Sequence, residues 1–190
     1  MDPAATRDRK RELRARARRI EADVRAPALA LARLEALGVW ASIGSVALYA
    51  AWRHEPPTDR LADLLAGRGV CVAWPRVEDE RIVLRSCPRE ALAPGYRGIA
   101  EPPADAGAVP ADQVDAFVVP GLLFDRRGVR LGRGHGHYDR LLSGARSDSL
   151  RIGFTLAARL VDELPVDAWD VPMHQVVTER EVVDGTGRCP

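Results

Sequence analysis

The stretch DAFVVPGLLFDRRGVRLGRGHGHYDRLL, residues 115–142, contains the pattern that decides the fold. It begins with a short, fully apolar run, DAFVVP (115–120), which predicts a buried strand. A glycine-rich segment, 132–136, comes later, and a helix that starts near His137 ends at LLSG. A strand, a polar loop and a helix in this order are typical of α/β proteins. In such proteins the chemistry lies in loops at the carboxyl ends of the strands.

The same alternation of strands and helices continues on both sides of this stretch. Apolar runs predict further strands at 45–50, 70–75, 81–87, 151–156 and 174–179. Helical spacing and caps predict helices at 4–25, after Pro27 through Leu37, at 58–67 and at 157–164. Residues 88–112, rich in proline, are predicted to form a long loop within the domain. We therefore predict a single α/β domain over residues 1–190, with a largely parallel central sheet flanked by helices and a long N-terminal helix.

Composition narrows the class of protein. The chain has 190 residues, 46% of them hydrophobic and 29% charged, which is usual for a soluble globular domain. A formal net charge of +1 gives no global reason to expect a nucleic acid as partner. The three cysteines form no CxxC pair, so we expect reduced thiols in a cytoplasmic protein. The longest mostly apolar stretch, 37–52, is too short and too interrupted to span a bilayer, and no secretory signal is recognisable. We also expect a monomer.

The two histidines of GRGHGHYDR (132–140) first indicate a metal site. His135, His137 and Asp139 have the spacing of the His-x-His-x-Asp-His signature of metallo-hydrolases. Arg140 stands where the next histidine ligand belongs, and a guanidinium cannot ligate a metal. Of the four histidines in the chain, only His174 lies downstream to supply another ligand. The pattern therefore argues against a zinc hydrolase and leaves open a plain structural turn.

A phosphate-binding loop is the alternative interpretation. The segment is neither a Walker loop nor a GxGxxG fingerprint, because no GK[ST] follows and His137 occupies the third glycine position. Glycines nevertheless let backbone N–H groups approach a polyphosphate, and Arg130, Arg133 and His135 add positive charge. Lys10, the one lysine among 28 basic residues, shares a face of the first helix with Arg14. That basic face can equally be solvated or contact RNA.

Residues 115–142 resemble the signature of the 5-formyltetrahydrofolate cyclo-ligase family. That signature runs from an apolar strand through Val-Pro-Gly, Phe-Asp and Arg-Leu-Gly to a glycine-rich loop and Tyr-Asp-Arg. Four further segments resemble the family in the same order along the chain: KRELR (10–14), LYAAWRHEPPT (48–58), AWPRV (73–77) and ELPVDAWDVPMHQVVTE (163–179). One such motif is weak evidence, but five in order are specific.

The resemblance implies an ATP- and Mg²⁺-dependent enzyme. A member of this family converts 5-formyltetrahydrofolate to 5,10-methenyltetrahydrofolate and releases ADP and phosphate. ATP phosphorylates the formyl oxygen, a neighbouring folate nitrogen closes the five-membered ring, and phosphate leaves. Phosphoryl transfer of this kind depends mainly on positioning and charge stabilisation, so it requires cations, a metal and backbone donors.

The family's residues carry over to named positions of this chain. The resemblance implies that ATP is bound by ten residues: Lys10, Arg14, Arg130, Gly132, Arg133, Gly134, His135, Gly136, His137 and Tyr138. Arg133 and Tyr138 would also act in catalysis. The folate would contact Ala50, Trp52, Glu55 and His137, and Mg²⁺ would be held by Asp139 and Asp170.

The chain departs from the family pattern within the glycine-rich loop. His137 stands where the family usually has the first tyrosine of Tyr-Tyr-Asp, and His135 where many members have Gly or Lys. These changes put substrate preference in question more than ATP binding. Two other functions stay open on the sequence: a paralogue that keeps the ATP site but acts on another substrate, and a non-enzymatic RNA-binding module that uses the basic first helix.

Overall fold

A computed structural model describes residues 3–21 and 23–185. Four α-helices lie in this part of the chain: α1 (Pro3–Ala17), α2 (Ala26–Glu35), α3 (Asp59–Ala66) and α4 (His137–Ser143). The strands are β1 (Ser45–Ala47), β2 (Cys71–Glu78), β3 (Arg81–Ser86), β4 (Ala93–Pro94), β5 (Ala100–Glu101), β6 (Gly107–Val109), β7 (Ala116–Val119), β8 (Leu123–Asp125), β9 (Arg130–Leu131), β10 (Leu150–Phe154), β11 (Leu160–Val161), β12 (Gln175–Val177) and β13 (Val182–Asp184). None of the described helices is long and apolar enough to cross a bilayer.

Eight strands form the central sheet, in the order β13-β12-β10-β7-β1-β2-β3-β6. The five strands from β12 to β2 are parallel, and antiparallel neighbours extend the sheet at both ends. All four residues of β7 are buried, as expected for a strand covered on both faces. The predicted α/β fold with a largely parallel central sheet is confirmed.

The order of the parallel strands reverses at β1. The chain passes from β1 to β2 on one side, whereas β7, β10 and β12 are added successively on the other side. In an open α/β sheet, ligands bind in the crevice that this reversal creates at the carboxyl ends of the strands. We therefore expect the residues that follow β1 and β7 to form a ligand site.

Three hydrophobic clusters fix the helices on the sheet. One cluster buries Leu34 of α2 and Leu61 of α3 against one face, and a second buries Leu141 of α4 among residues that include Phe117 of β7. A third, smaller cluster packs Leu13 and other residues of α1 against β8, β9 and the segment near Leu164. This third cluster brings the basic helix α1 next to the glycine-rich loop.

The N-terminal helix is shorter than predicted, because it ends at Ala17 rather than near residue 25. The guanidinium of Arg159 donates hydrogen bonds to the carbonyls of Ala17 (3.1 Å) and Ile20 (3.3 Å). A further helical turn would need the Ala17 carbonyl for its own backbone ladder. A contact from a distant part of the sequence thus replaces the next turn.

The helix predicted at 157–164 was wrong. A 3₁₀ turn, Ala157–Arg159, leads directly into β11, which pairs with β8 in a small three-stranded sheet with β9. The N–H of Ala157 donates to the Glu179 carboxylate at 2.7 Å, and the N–H of Leu164 donates to Asp125 at 3.0 Å. The Leu164 N–H, which a helix would bond to the Leu160 carbonyl, is thus taken by a tertiary contact.

The predicted long loop at 88–112 contains three short strands. β4 and β5 pair with each other, and β6 pairs with β3 as the edge strand of the central sheet. Strands of two or three residues carry no measurable hydrophobic alternation, and β6 depends on pairing with the open edge of β3. This segment therefore closes one side of the sheet and does not simply cross the surface.

Candidate active site

A cavity of about 1100 Å³ opens at the carboxyl ends of β1 and β7. Its walls come from the segments that follow these two strands, from α1, from the loop between β9 and α4, and from the segment that precedes β12. All the site residues predicted from the sequence line this one cavity: Lys10, Arg14, Ala50, Trp52, Glu55, Arg130, Gly132 through Asp139, and Asp170. The fold thus brings together residues separated by up to 160 positions, while their individual roles remain predictions.

Lys10 is buried against two carboxylates. Its side chain points from α1 so that Nζ lies 2.8 Å from Oδ2 of Asp167 and 2.5 Å from Oδ2 of Asp170. Only 6% of the residue is exposed. The Asp167 N–H also donates to the Asp170 carboxylate at 2.8 Å, which fixes the geometry of the segment. Asp167 was not predicted from the sequence, although a second aspartate three residues before Asp170 was a usable signal.

The glycine-rich loop is held close to α1 and to Arg130. Arg14 Nε donates to the carbonyl of Gly132 at 3.0 Å. A Cβ on Gly132 would lie 2.5 Å from Nη1 of Arg130, so only glycine leaves space for this guanidinium. Gly134 and Gly136 have φ values of 105° and 65°, a region that residues with a side chain rarely adopt. The loop therefore needs its glycines for conformation and for close approach.

Arg130 and Asp139 form a partly buried ion pair under this loop. One guanidinium nitrogen, Nη2, lies 3.0 Å from each carboxylate oxygen of Asp139. The guanidinium carbon of Arg130 lies 5.5 Å from the ring centroid of Tyr138, within the range of a cation–π contact. Desolvation raises the pKa of Tyr138, and the nearby Glu55 carboxylate raises it further. Tyr138 is therefore a neutral phenol at physiological pH, able to donate a hydrogen bond and not to act as a base.

Glu55, Arg133 and Trp52 form a cluster at the mouth of the cavity. Arg133 Nη2 lies 2.8 Å from Glu55 Oε1, and Glu55 Oε2 accepts the N–H of Trp52 at 3.1 Å. The guanidinium carbons of Arg133 and Arg53 each lie 4.2 Å from the Trp52 ring. Arg53, which has a φ of 60°, was not singled out from the sequence because no local pattern marks it. The Trp52 indole is therefore in contact with two cations.

The two histidines lie side by side on the same loop. Their ring centroids are 5.4 Å apart, and Tyr96 lies 6.3 Å from the His137 ring. Nε2 of His135 lies 3.3 Å from a guanidinium nitrogen of Arg97. Desolvation lowers the pKa of His137, and the positive charge of Arg140 lowers it further. His137 is thus a neutral imidazole beside an aromatic ring at physiological pH.

One part of the cavity wall is largely apolar. It is built by β2, β3 and the segment before β5, which contribute Pro75, Val77, Ile82 and Ile99 to the cavity. The cavity therefore has one side rich in cations and glycine N–H groups and another suited to a flat, apolar ring. Such a division can hold a polyphosphate next to an aromatic molecule.

Two carboxylates of the cavity, Asp139 and Asp170, are candidate ligands for a metal ion. Mg²⁺ in phosphate-transfer sites is usually held by one or two carboxylates together with phosphate oxygens. Asp139 and Asp170 both line the cavity, and each is already paired with a cation. Within residues 3–21 and 23–185, no group of three or more His, Cys, Asp or Glu side chains forms a metal site. Asp139 and Asp170 are therefore the carboxylates of this cavity that could hold a magnesium ion together with phosphate oxygens.

Comparison with known proteins identifies the relatives of this chain. The model of the 5-formyltetrahydrofolate cyclo-ligase family matches residues 3–179. A 5-formyltetrahydrofolate cyclo-ligase from Escherichia coli K12 is 33% identical over 144 residues, covering 73% of this chain and 79% of that protein. One from Mycolicibacterium smegmatis is 40% identical over 86 residues, covering 44% of this chain and 43% of that protein.

A solved structure extends the likeness to the fold. The NMR structure of 5,10-methenyltetrahydrofolate synthetase from Aquifex aeolicus has a TM-score of 0.79 at 28% identity, and the alignment covers 94% of this chain and 92% of that one. The resemblance predicted from the sequence is confirmed by the family match and by these relatives. The chain belongs to the 5-formyltetrahydrofolate cyclo-ligase family of ligases.

Proposed function

We propose that this protein converts 5-formyltetrahydrofolate to 5,10-methenyltetrahydrofolate, using ATP bound as its magnesium complex and releasing ADP and phosphate. The observation that carries the proposal is the single cavity in which Lys10, Arg14 and Arg133 surround a glycine-rich loop beside an apolar wall. Its relatives are named for this substrate and this product.

The cationic side of the cavity would bind the phosphates of ATP. Lys10 and Arg14 come from α1, while Arg133 and the N–H groups of residues 132–138 come from the loop. Arg130 lies beneath this loop, and its pairing with Asp139 positions that carboxylate at the cavity. Phosphoryl transfer depends mainly on such positioning and on neutralising charge, so this inventory is sufficient without a nucleophilic side chain.

Asp139 and Asp170 would hold the magnesium ion together with phosphate oxygens. The ion would neutralise charge on the transferred phosphoryl group. Lys10 would keep its contacts with Asp167 and Asp170 and add a contact with phosphate. Lys10 can make these contacts because an ammonium group has three donors.

The folate would lie between Glu55 and the apolar wall. Ala50, Trp52 and Glu55 follow β1, and together with His137 of α4 they line the cavity, where they would contact the ring that carries the formyl group. ATP would phosphorylate the formyl oxygen, the neighbouring nitrogen would close the ring, and phosphate would leave. Arg133 and the neutral phenol of Tyr138 would donate hydrogen bonds to the oxygen that develops negative charge.

The proposal is tested by the absorbance of 5,10-methenyltetrahydrofolate. Purified protein with 5-formyltetrahydrofolate, Mg²⁺ and ATP should produce the near-ultraviolet band of the product, and omission of ATP should abolish the rise. An absent rise with all components present would reject the proposal. The proposal further describes a monomeric, cytoplasmic enzyme formed by one domain, which binds neither nucleic acid nor membrane.

One observation favours a second candidate. His137 stands where the family usually has tyrosine, and its ring faces Tyr96 at the folate side of the cavity. A paralogue that keeps the ATP site and acts on another N-formyl compound would then be expected. Hydrolysis of ATP that depends on another formylated substrate and not on 5-formyltetrahydrofolate would favour this alternative.

A further inference from the structure

Glu101 is a buried carboxylate in the cavity wall, and the proposed function gives it no role. It ends the short strand β5, lines the cavity, and is only 6% exposed. Acidic side chains are seldom buried to this degree unless they are paired or bind a ligand. The contacts of this carboxylate therefore indicate whether it serves the fold alone.

The carboxylate occupies a defined position at the edge of the sheet. β1 pairs with β2 only at Cys71–Ala73, so β2 continues beyond the end of β1 with an open edge. Alternate residues of β2 face that edge, as shown by the Cys71 N–H bonded to Gly44 and the Ala73 carbonyl bonded to Leu48. The next N–H on this edge is that of Val77, and it donates to Glu101 Oε1 at 3.2 Å. Glu101 thus lies where β1 would have continued, at the carboxyl edge where ligands bind.

The second carboxylate oxygen has unused capacity. Oε2 lies 3.7 Å from Nη1 of Arg76, within the range of an ion pair but too far for a hydrogen bond, and that nitrogen donates to the carbonyl of Pro102 at 2.8 Å. No hydrogen bond from the described residues reaches Oε2. The neighbouring Gly95 leaves space for this oxygen, since a Cβ there would lie 2.3 Å from it. A carboxylate offers about four acceptor positions, so most of those on Glu101 remain available to a ligand.

We propose that Glu101 binds the 2-amino-4-oxopyrimidine end of the folate ring and so determines specificity for the pterin. This inference rests on the proposed function. The ring N–H and the adjacent amino group form two parallel donors, which match the two oxygens of a carboxylate as a guanidinium does. Pro75, Val77 and Ile99 supply apolar surface beside it for the ring faces. Adenine fits less well, because its amino group is flanked by acceptor nitrogens that a carboxylate repels.

The test compares two substrates on the variant Glu101→Gln. One is 5-formyltetrahydrofolate, and the other is its analogue in which a methyl group replaces the 2-amino group. The wild type should show a KM roughly 10- to 100-fold higher for the analogue, because a charged acceptor loses its donor. Glu101→Gln should raise the KM for the natural substrate by a similar factor. In this variant the KM values for the natural substrate and the analogue should differ by less than about 3-fold. The KM for ATP should stay within about 2-fold of wild type, since no phosphate contact is changed.

Glu78→Gln is the matched control. Glu78 is a carboxylate of the same strand β2 that also pairs with Arg76, but it does not line the cavity. This variant should discriminate the two substrates as the wild type does, and thermal unfolding should show both variants folded. A Glu101→Gln enzyme that still discriminates like the wild type would overturn the inference, as would a rise in the KM for ATP alone.

Failure of the proposed function gives a different result. If the wild type produces no ATP-dependent absorbance, calorimetric titration with the same two folates still reports on Glu101. Weaker binding of the analogue to wild type, but not to Glu101→Gln, would support the pterin contact without the reaction. Equal binding of both folates to wild type would reject it.

Discussion

Lys10 is the one lysine of the chain, and its environment makes a specific kinetic prediction. Nζ contacts Asp167 and Asp170 inside the cavity, so the ammonium is desolvated and close to where phosphates would lie. Lys10→Ala should raise the KM for ATP roughly 10- to 100-fold, the usual effect of losing a charge-assisted hydrogen bond. The KM for 5-formyltetrahydrofolate should change by less than about 3-fold. Initial rates from the absorbance assay measure both constants.

The control for this experiment is Arg9→Ala. Arg9 is the neighbouring residue of α1, but its exposed side chain pairs with Glu12 on the helix surface. This variant should leave both constants unchanged. Equal increases in the two KM values for Lys10→Ala would contradict a role in phosphate binding and indicate a general disturbance of the cavity.

Asp139 makes a prediction about magnesium. Both of its oxygens lie 3.0 Å from one nitrogen of Arg130, which leaves lone pairs directed elsewhere for a cation. Asp139→Asn should raise the Mg²⁺ concentration needed for half-maximal rate roughly 10-fold or more, because the neutral amide is a weaker ligand. Asp148→Asn, at an exposed carboxylate paired with Arg146, is the control and should have no effect. An unchanged magnesium titration for Asp139→Asn would remove Asp139 from the metal site.

At the scale of elements, Arg159 belongs to one segment that departs from its predicted structure and contacts the end of another, α1. Arg159 is the third residue of AARLVDEL (157–164), a segment whose spacing is helical, and it lies far from α1 in the chain. In the fold its guanidinium takes the carbonyl of Ala17, which ends α1, while its own segment forms a turn and β11. Local periodicity predicted the five parallel strands because each has a short buried segment made mainly of apolar residues. It failed here because the deciding hydrogen bonds join residues 142 positions apart.

Asp125 is the aspartate of the Phe-Asp pair in the family signature, and its role is structural. It is fully buried, and its oxygens accept the N–H groups of Arg127, Val129 and Leu164. The carboxylate therefore joins the β8–β9 turn to the segment before Asp167. An amide has only one acceptor oxygen and would place its NH₂ group against a backbone donor. The role of Asp125 is to hold the elements that position the site.

Asp125→Asn should accordingly destabilise the fold. We expect the free energy of unfolding to fall by about 2–4 kcal/mol, because buried donors lose a charged acceptor. Urea denaturation measures this change. Asp162→Asn, at an exposed position close to the same segment, should change the stability by less than about 0.5 kcal/mol. A similarly small effect at Asp125 would contradict its role as the joining residue.

For the whole molecule, the candidate site was more predictable than the path of the chain that builds it. Residues 132–139 and Lys10 were identified by residue type and by resemblance, and the reversal of strand order at β1 explains why they meet. Glu101 could not be identified from the sequence in this way. A glutamate between Ala100 and two prolines has no local signature, and its importance depends on β2 extending past the end of β1. Residues that act through the open edge of a sheet become visible only when strand pairing is known.

Global stability should depend on pH through His174, which is 4% exposed between β10 and β12. Its Nδ1 accepts the Arg151 N–H at 3.0 Å, and burial together with the Arg151 charge lowers its pKa to about 4. The unfolded chain, with an ordinary value of 6.5, binds a proton first. His174 therefore contributes stability that is complete above pH 6.5 and is lost as the pH falls towards 4.

The variant His174→Gln tests this contribution. As the pH falls from 6.5 to 4, its free energy of unfolding should decrease by about 3 kcal/mol less than that of wild type. Urea denaturation at a series of pH values measures the difference, with exposed His54→Gln as the control expected to follow wild type. Parallel curves for wild type and His174→Gln would show that this imidazole does not control acid stability.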